Sequence, residues 1–286
     1  MVRQRFAYAV LTSKIHHKTR LPAVMSTWGK HANIEAIGSD SDGTESGIFD
    51  ARMLDLGVPV GKKELGRKAM LLWASMCPLL EGKPVNPSFP GAPGQKRQNV
   101  LRLGVAGQEG ALVAPQFFVM ADDDSFIVTD NLERTLSEQF NASAPLYAGY
   151  ALTHMATGEF IGGGGGIVLS KGAMRLLCDA IRNPQLKTAR CNPRPGGLVV
   201  NPTGDVATFD CMRQLGIKAT NIPGFHPFPA HEMVEPEPNW CSSTWWIPKK
   251  YIRCPPVPDS ISFHSLPLTR WREVYYWTHV FQRKPL

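Results

Sequence analysis

The chain has 286 residues, 43% hydrophobic and 19% charged, a balance that excludes a disordered chain and leaves ample material for a core. Lys plus Arg number 31 against 24 Asp plus Glu, and the resulting charge of +7 suits a phosphate-bearing ligand or an anionic surface. The basic residues are scattered without a long run, so no nucleic-acid partner is expected, and no apolar stretch is long enough to predict a membrane span.

In chain order, "RFAYAVLT" (residues 5–12) reads as a first strand. No signal peptide precedes it, as expected of a trimmed catalytic domain or an unusual amino terminus. Thr19 to Trp28 reads as a helix, with Pro22 tolerated in its first turn and Gly29 ending it. "NIEAIGSDSDG" reads as a short strand running into an acidic turn. Glu64 to Met76 places Leu65, Ala69, Leu72 and Met76 at helical spacing. This alternation of strand and helix predicts a parallel sheet covered on both faces. Residues 82–98 are rich in Pro and Gly and read as a surface insertion.

"FFVMADDDSFIV" (residues 117–128) follows as a buried strand ending in three aspartates, and Asp130 with Glu133 offers a capping box for the helix "NLERTLSEQF". "EFIGGGGGIVLS" is a glycine run leading into a strand. "KGAMRLLCDAI" and "GDVATFDCMRQLGI" read as helices, the second stopped by Gly216. Residues 223–258, dense in Pro, Trp and Cys, read as loop over the domain. With no internal repeat and no boundary, residues 1–286 read as one domain.

The aspartates Asp122, Asp123 and Asp124 carry most of the chemistry. Like charges side by side repel, and burying them unpaired costs several kcal/mol each, so apolar flanks on both sides call for a cation. Hard carboxylate oxygens suit Mn²⁺ or Mg²⁺, with a ligand phosphate completing the shell. The carboxyl edge of such a sheet is also where α/β folds bind ligands. Gly163, Gly164 and Gly165, inside a run of five glycines, either let a sugar or phosphate approach the backbone or form a flexible loop. Asp205 at a helix start is either a cap or a reacting carboxylate, and His264 is either structural or a metal ligand. The six cysteines lack CxxC spacing, which argues against zinc and leaves disulfides and buried thiols both open. "NAS" at Asn141 is an acceptable glycosylation sequon, whereas proline blocks those at Asn86 and Asn201.

Taken together and in order, "VLTSKIHHKTRLPAVMSTWGK", "ADDDSFIV", "GGGGGIVLS", "GDVATFDCMRQLGI", "FHPF" and "ISFHS" resemble the blocks of the Fringe-like β1,3-glycosyltransferases, over roughly residues 5 to 268. "TWGK" and "FHPFPAHE" look closest to the core 1 branch of that group. The resemblance implies a GT-A fold, an α/β architecture with a Rossmann-like mixed sheet flanked by helices. It implies an inverting, metal-dependent transfer of a hexose (Gal, Glc or GlcNAc) from a UDP-sugar to a glycan or glycoprotein hydroxyl.

By position, Asp124 and His264 match the metal ligands and Asp205 the catalytic base. Asp122 and Asp123 match the aspartates beside the nucleotide and ribose, Thr12 and Arg20 fall where the first strand and helix meet the nucleotide, and the three glycines line the donor. A Golgi or ER lumenal setting follows by the same likeness, with membrane attachment only through an anchor that this sequence does not include, and a homodimer is left open. Two departures stand out: "GGGGGIVLS" lacks the alanine and aromatic of many relatives, and "GDV" replaces their "EDV". Rival readings are a non-catalytic sugar-nucleotide binder and a metal-dependent nucleotidyl or phosphoryl transferase, though the latter usually has further carboxylates for a second metal.

Overall fold

The computed structural model describes residues 6–40, 52–60, 64–85, 113–154, 158–182, 191–193, 203–226, 259–265 and 268–275. Its strands are β1 (Phe6–Leu11), β2 (Ile34–Ser39), β3 (Met53–Asp55), β4 (Phe117–Asp122), β5 (Phe126–Ile127), β6 (Tyr147–Gly149), β7 (Ala151–His154), β8 (Gly158–Ile161), β9 (Ile167–Ser170), β10 (Ala219–Asn221), β11 (Phe225–His226) and β12 (Ser262–Phe263). The helices are α1 (Arg20–Ser26), α2 (Leu65–Ser75), α3 (Thr129–Gln139), α4 (Lys171–Arg182), α5 (Gly204–Gln214) and α6 (Leu268–Tyr275).

Seven strands form one sheet in the order β10-β6-β9-β4-β1-β2-β3. Strand β1 pairs in parallel with both β2 and β4, and β3 continues the parallel set. The sheet is nevertheless mixed, because β9 runs antiparallel between β4 and β6. The cause is the glycine turn that precedes it: it lies at the carboxyl edge of β4, so the strand leaving that turn must run back. This mixed sheet flanked by helices is a GT-A-like fold. It departs from the parallel sheet that strand–helix alternation alone predicts.

Both faces of the sheet are buried, which explains why its central strands are apolar at every position instead of alternating. Phe6, Tyr8 and Val10 of β1 join Phe117, Val119 and Ala121 of β4 in one core with α1, α3 and Trp271 of α6. Ala7, Ala9 and Leu11 join Phe118 and Met120 in the other, under α2, α4 and α5. Two disulfides pin this second layer. Cys77, just past α2, bonds Cys178 of α4, and Cys191 bonds Cys211 of α5. Cys241 and Cys254 lie outside the described residues.

Several element ends differ from the sequence reading. Helix α1 stops at Ser26, and Gly29 sits inside a short 3₁₀ turn (Trp28–Lys30), where a Cβ would come within 2.8 Å of the Val24 carbonyl oxygen. The capping box at α3 does not form: Thr129 opens the helix, Val128 holds the cap position, and the Glu133 carboxylate accepts from the Tyr8 hydroxyl at 3.0 Å. Asp205 is not a cap either, since Thr203 holds that position and Asp205 lies in the first turn of α5. Phe225–His226, expected as loop, form β11, which pairs with β12, itself paired to β5. Most of the 82–98 insertion and of the 223–258 region lies outside the described residues. Among those described, no helix is long and apolar enough to cross a membrane.

Candidate active site

Strand β4 ends at Asp122, and the chain turns at once: the Ser125 N–H donates to the Asp122 carbonyl at 3.1 Å. That turn projects Asp123 and Asp124 beyond the carboxyl edge of the sheet. Trp28 Nε1 donates to the Ser125 carbonyl at 3.0 Å, and Ser125 Oγ donates to the Gly164 carbonyl at 2.8 Å. The aspartate turn is thereby fastened to α1's exit on one side and to the glycine run on the other.

Each acid has a different setting. Asp123 is buried, accepts from Thr12 Oγ1 at 2.7 Å and pairs with Arg20 Nη1 at 3.0 Å. Arg20, the first residue of α1, also reaches Asp124 Oδ2 at 3.0 Å. Asp124 Oδ1 faces His264 Nε2 at 3.6 Å. Asp122, at the end of the strand, is partly buried and has the other acids around it. Its carboxyl is pushed up to about 7, by burial first and then by the negative charges of Asp124, Asp123 and Asp205. Ligand atoms of Asp122, Asp124 and His264 all lie within 4.8 Å of one another. Two hard carboxylates and an imidazole, crowded by like charge and still partly accessible, form a donor set that fits Mn²⁺ or Mg²⁺. The cluster thus takes in Asp122, which the family resemblance sets beside the nucleotide.

The glycines are explained by what packs on them. A Cβ on Gly164 would lie 2.4 Å from His264 Nδ1, and one on Gly163 would lie 3.2 Å from the Asp205 Cβ. Gly163–Gly165 form a 3₁₀ turn, and Gly166 takes φ 96°, a region that favours glycine. The Ser262 hydroxyl donates to the Gly165 carbonyl, tying β12 to this turn and so placing His264 two residues later. Asp205 Oδ2 accepts from the Gly163 N–H at 3.2 Å, and its Oδ1 accepts from the Val206 N–H at 2.9 Å. All ten residues singled out by sequence therefore converge on one edge of the sheet: Thr12, Arg20, Asp122, Asp123, Asp124, Gly163, Gly164, Gly165, Asp205 and His264.

The structure adds a layer that sequence reasoning missed. Lys68 of α2 is buried and donates to the Thr12 carbonyl at 2.9 Å and to Asp40 Oδ2 at 3.0 Å. Asp40 also accepts from Ser13 Oγ and the Lys14 N–H, at 2.9 and 2.8 Å. Burial opposes the Asp40 charge, but these donors and Lys68 outweigh it and hold the carboxyl below its ordinary value. The pair anchors the segment after β1 that presents Thr12 to Asp123. A signal was there: Lys68 falls three residues after Leu65, on the apolar stripe of its helix. His226, stacked on Phe263, is pushed down to about 4 by burial and meets Ser260 Oγ at 3.1 Å, so it packs as a neutral imidazole.

No protein-family model matches the chain. Over 137 residues, 46% of the chain, it is 28% identical to the glycoprotein-N-acetylgalactosamine 3-beta-galactosyltransferase 1 of Xenopus laevis. Over 224 residues, 76% of the chain, it is 26% identical to the beta-1,3-glucosyltransferase of Mus musculus. Each match spans 35% of the relative's length. The likeness supports kinship with β1,3-glycosyltransferases.

Proposed function

We propose that this chain is an inverting glycosyltransferase that moves a hexose from a UDP-sugar to a hydroxyl of a glycan or glycoprotein, forming a β1,3 linkage with a divalent metal present. The observation that carries this reading is the convergence of Asp122, Asp124 and His264 with Asp205 across the glycine turn. The relatives' names, one a galactosyltransferase and one a glucosyltransferase, support the reaction class and make galactose and glucose the first donor sugars to test.

Asp122, Asp124 and His264 would hold the metal. When bound, Mn²⁺ or Mg²⁺ supplies positive charge beside a diphosphate leaving group. Arg20 adds a fixed cation at the same edge, braced by Asp123 and Asp124 so that its guanidinium keeps one direction. Asp205 is aimed by two backbone N–H groups, and its remaining lone pairs can accept the proton of an acceptor hydroxyl as that oxygen attacks the anomeric carbon. Thr12, held from behind by Lys68, fixes Asp123.

The test is sugar transfer from UDP-galactose, UDP-glucose and UDP-N-acetylglucosamine to glycan acceptors, with Mn²⁺ and with a chelator, followed by NMR of the product linkage. Mn²⁺-dependent formation of a β-linked product from the α-linked donor supports the reading. UDP-sugar binding without turnover would mark a non-catalytic relative, and absence of both would overturn the proposal.

A further inference from the structure

We propose that Asn141 is an N-glycosylation site, carrying an oligosaccharide at the rim of the sheet opposite the aspartate cluster. The sequence Asn141-Ala142-Ser143 forms the turn after α3, with Asn141 and Ser143 exposed and Ala142 buried beneath them. Asn141 Oδ1 accepts from the Ser143 N–H at 2.9 Å, and the Ala144 N–H closes the turn onto the Asn141 carbonyl at 3.1 Å. The Ala142 carbonyl accepts from the Gly172 N–H at 3.0 Å, which fastens the turn to the start of α4. No described residue engages the Asn141 Nδ2.

Position makes the site tolerable. Helix α3 leaves the aspartate edge and runs for about 16 Å, so its end lies at the far rim of the sheet. The register agrees: Ser170, two residues before Gly172, pairs with Phe117, the first residue of β4, whereas Asp122 is the last. A glycan there stays clear of the aspartate cluster. The two disulfides indicate a chain that matures in an oxidising lumen, where glycan transfer takes place. In that step Nδ2 attacks the anomeric carbon of an oligosaccharide borne on a lipid diphosphate. An N–C bond forms, the C–O bond to the diphosphate breaks, the lipid diphosphate leaves with the electron pair, and the amide proton passes to a base of the transferring enzyme.

The protein secreted from eukaryotic cells should lose the mass of one oligosaccharide on amidase treatment, with Asn141 converted to Asp in the peptide spectrum. Asn141→Gln and Ser143→Ala should each abolish the shift, Ser143→Thr should retain it, and UDP-sugar turnover should stay unchanged in Asn141→Gln. An unmodified Asn141 in the secreted wild type, or a glycan that persists in Asn141→Gln, would overturn the proposal. Neither result bears on the glycosyltransferase reading, which is assayed separately.

Discussion

Gly164→Ala tests the reading of the glycine run without touching any charged or coordinating group. The added Cβ would meet His264 Nδ1 at 2.4 Å and its Cγ and Cε1 at 2.5 Å, while carbon contacts are comfortable only near about 3.5 Å, so the ring must retreat by roughly 1 Å. The backbone accepts alanine, because Gly164 is not among the glycines with positive φ. Overpacking of this kind costs about 1–3 kcal/mol, and His264 is partly exposed, so the fold should survive near the low end. Moving the imidazole away from Asp124 should weaken metal affinity by about 10- to 100-fold, the usual cost of losing the orientation of a ligand. Gly165→Ala is the matched control, since its Cβ would meet nothing closer than Ser262 Oγ at 3.6 Å, an ordinary contact. Calorimetric titration of Mn²⁺ in the presence of UDP reads the effect. Wild-type affinity in Gly164→Ala, or an equal loss in Gly165→Ala, would refute the claim that the glycine turn exists to seat His264.

Asp205→Asn keeps an acceptor for one backbone N–H but cannot take a proton; the variant should fold and bind UDP-sugar, yet transfer at least about 100-fold more slowly in a product-release assay. Lys68→Met leaves the buried Asp40 carboxylate without its cation and should cost about 3 kcal/mol in urea unfolding, whereas replacing both partners with apolar residues should recover much of that loss. The same pair sets an acid sensitivity. The Asp40 carboxyl is held below its unfolded value, so its stabilising contribution is present above about pH 4 and is lost as the pH falls further. Unfolding free energies measured across that range should fall more steeply in the wild type than in Asp40→Asn.

How much of this was legible depends on how local each cause is. The aspartate turn stood out because apolar runs bracket it, and those runs are β4 and β5. The central strands were readable because a sheet buried on both faces leaves no polar alternation. The glycine run was not interpretable from its neighbours, since what requires it is His264, 100 positions later in the chain and delivered by β12. Glu133 had the spacing of a capping box, but a hydroxyl from β1 claims it, a contact across 125 positions that no local rule contains. The antiparallel course of β9 is likewise set by which edge the chain has reached, and the pairing of the cysteines by which helices share a face. Lys68 was the one missed residue with a local signal, a charge on an apolar stripe, and its partner Asp40 lay in the acidic turn already noted at the end of β2.

The central claim is that Asp122, Asp124 and His264 form a metal seat for a sugar nucleotide, and UDP binding to wild type and Asp124→Ala, each with Mn²⁺ and with chelator, tests it most directly. Wild-type binding should strengthen sharply with Mn²⁺, and Asp124→Ala should lose that strengthening while melting as a folded domain. Equal UDP affinity with and without metal in the wild type, or undiminished metal dependence in a folded Asp124→Ala, would contradict it.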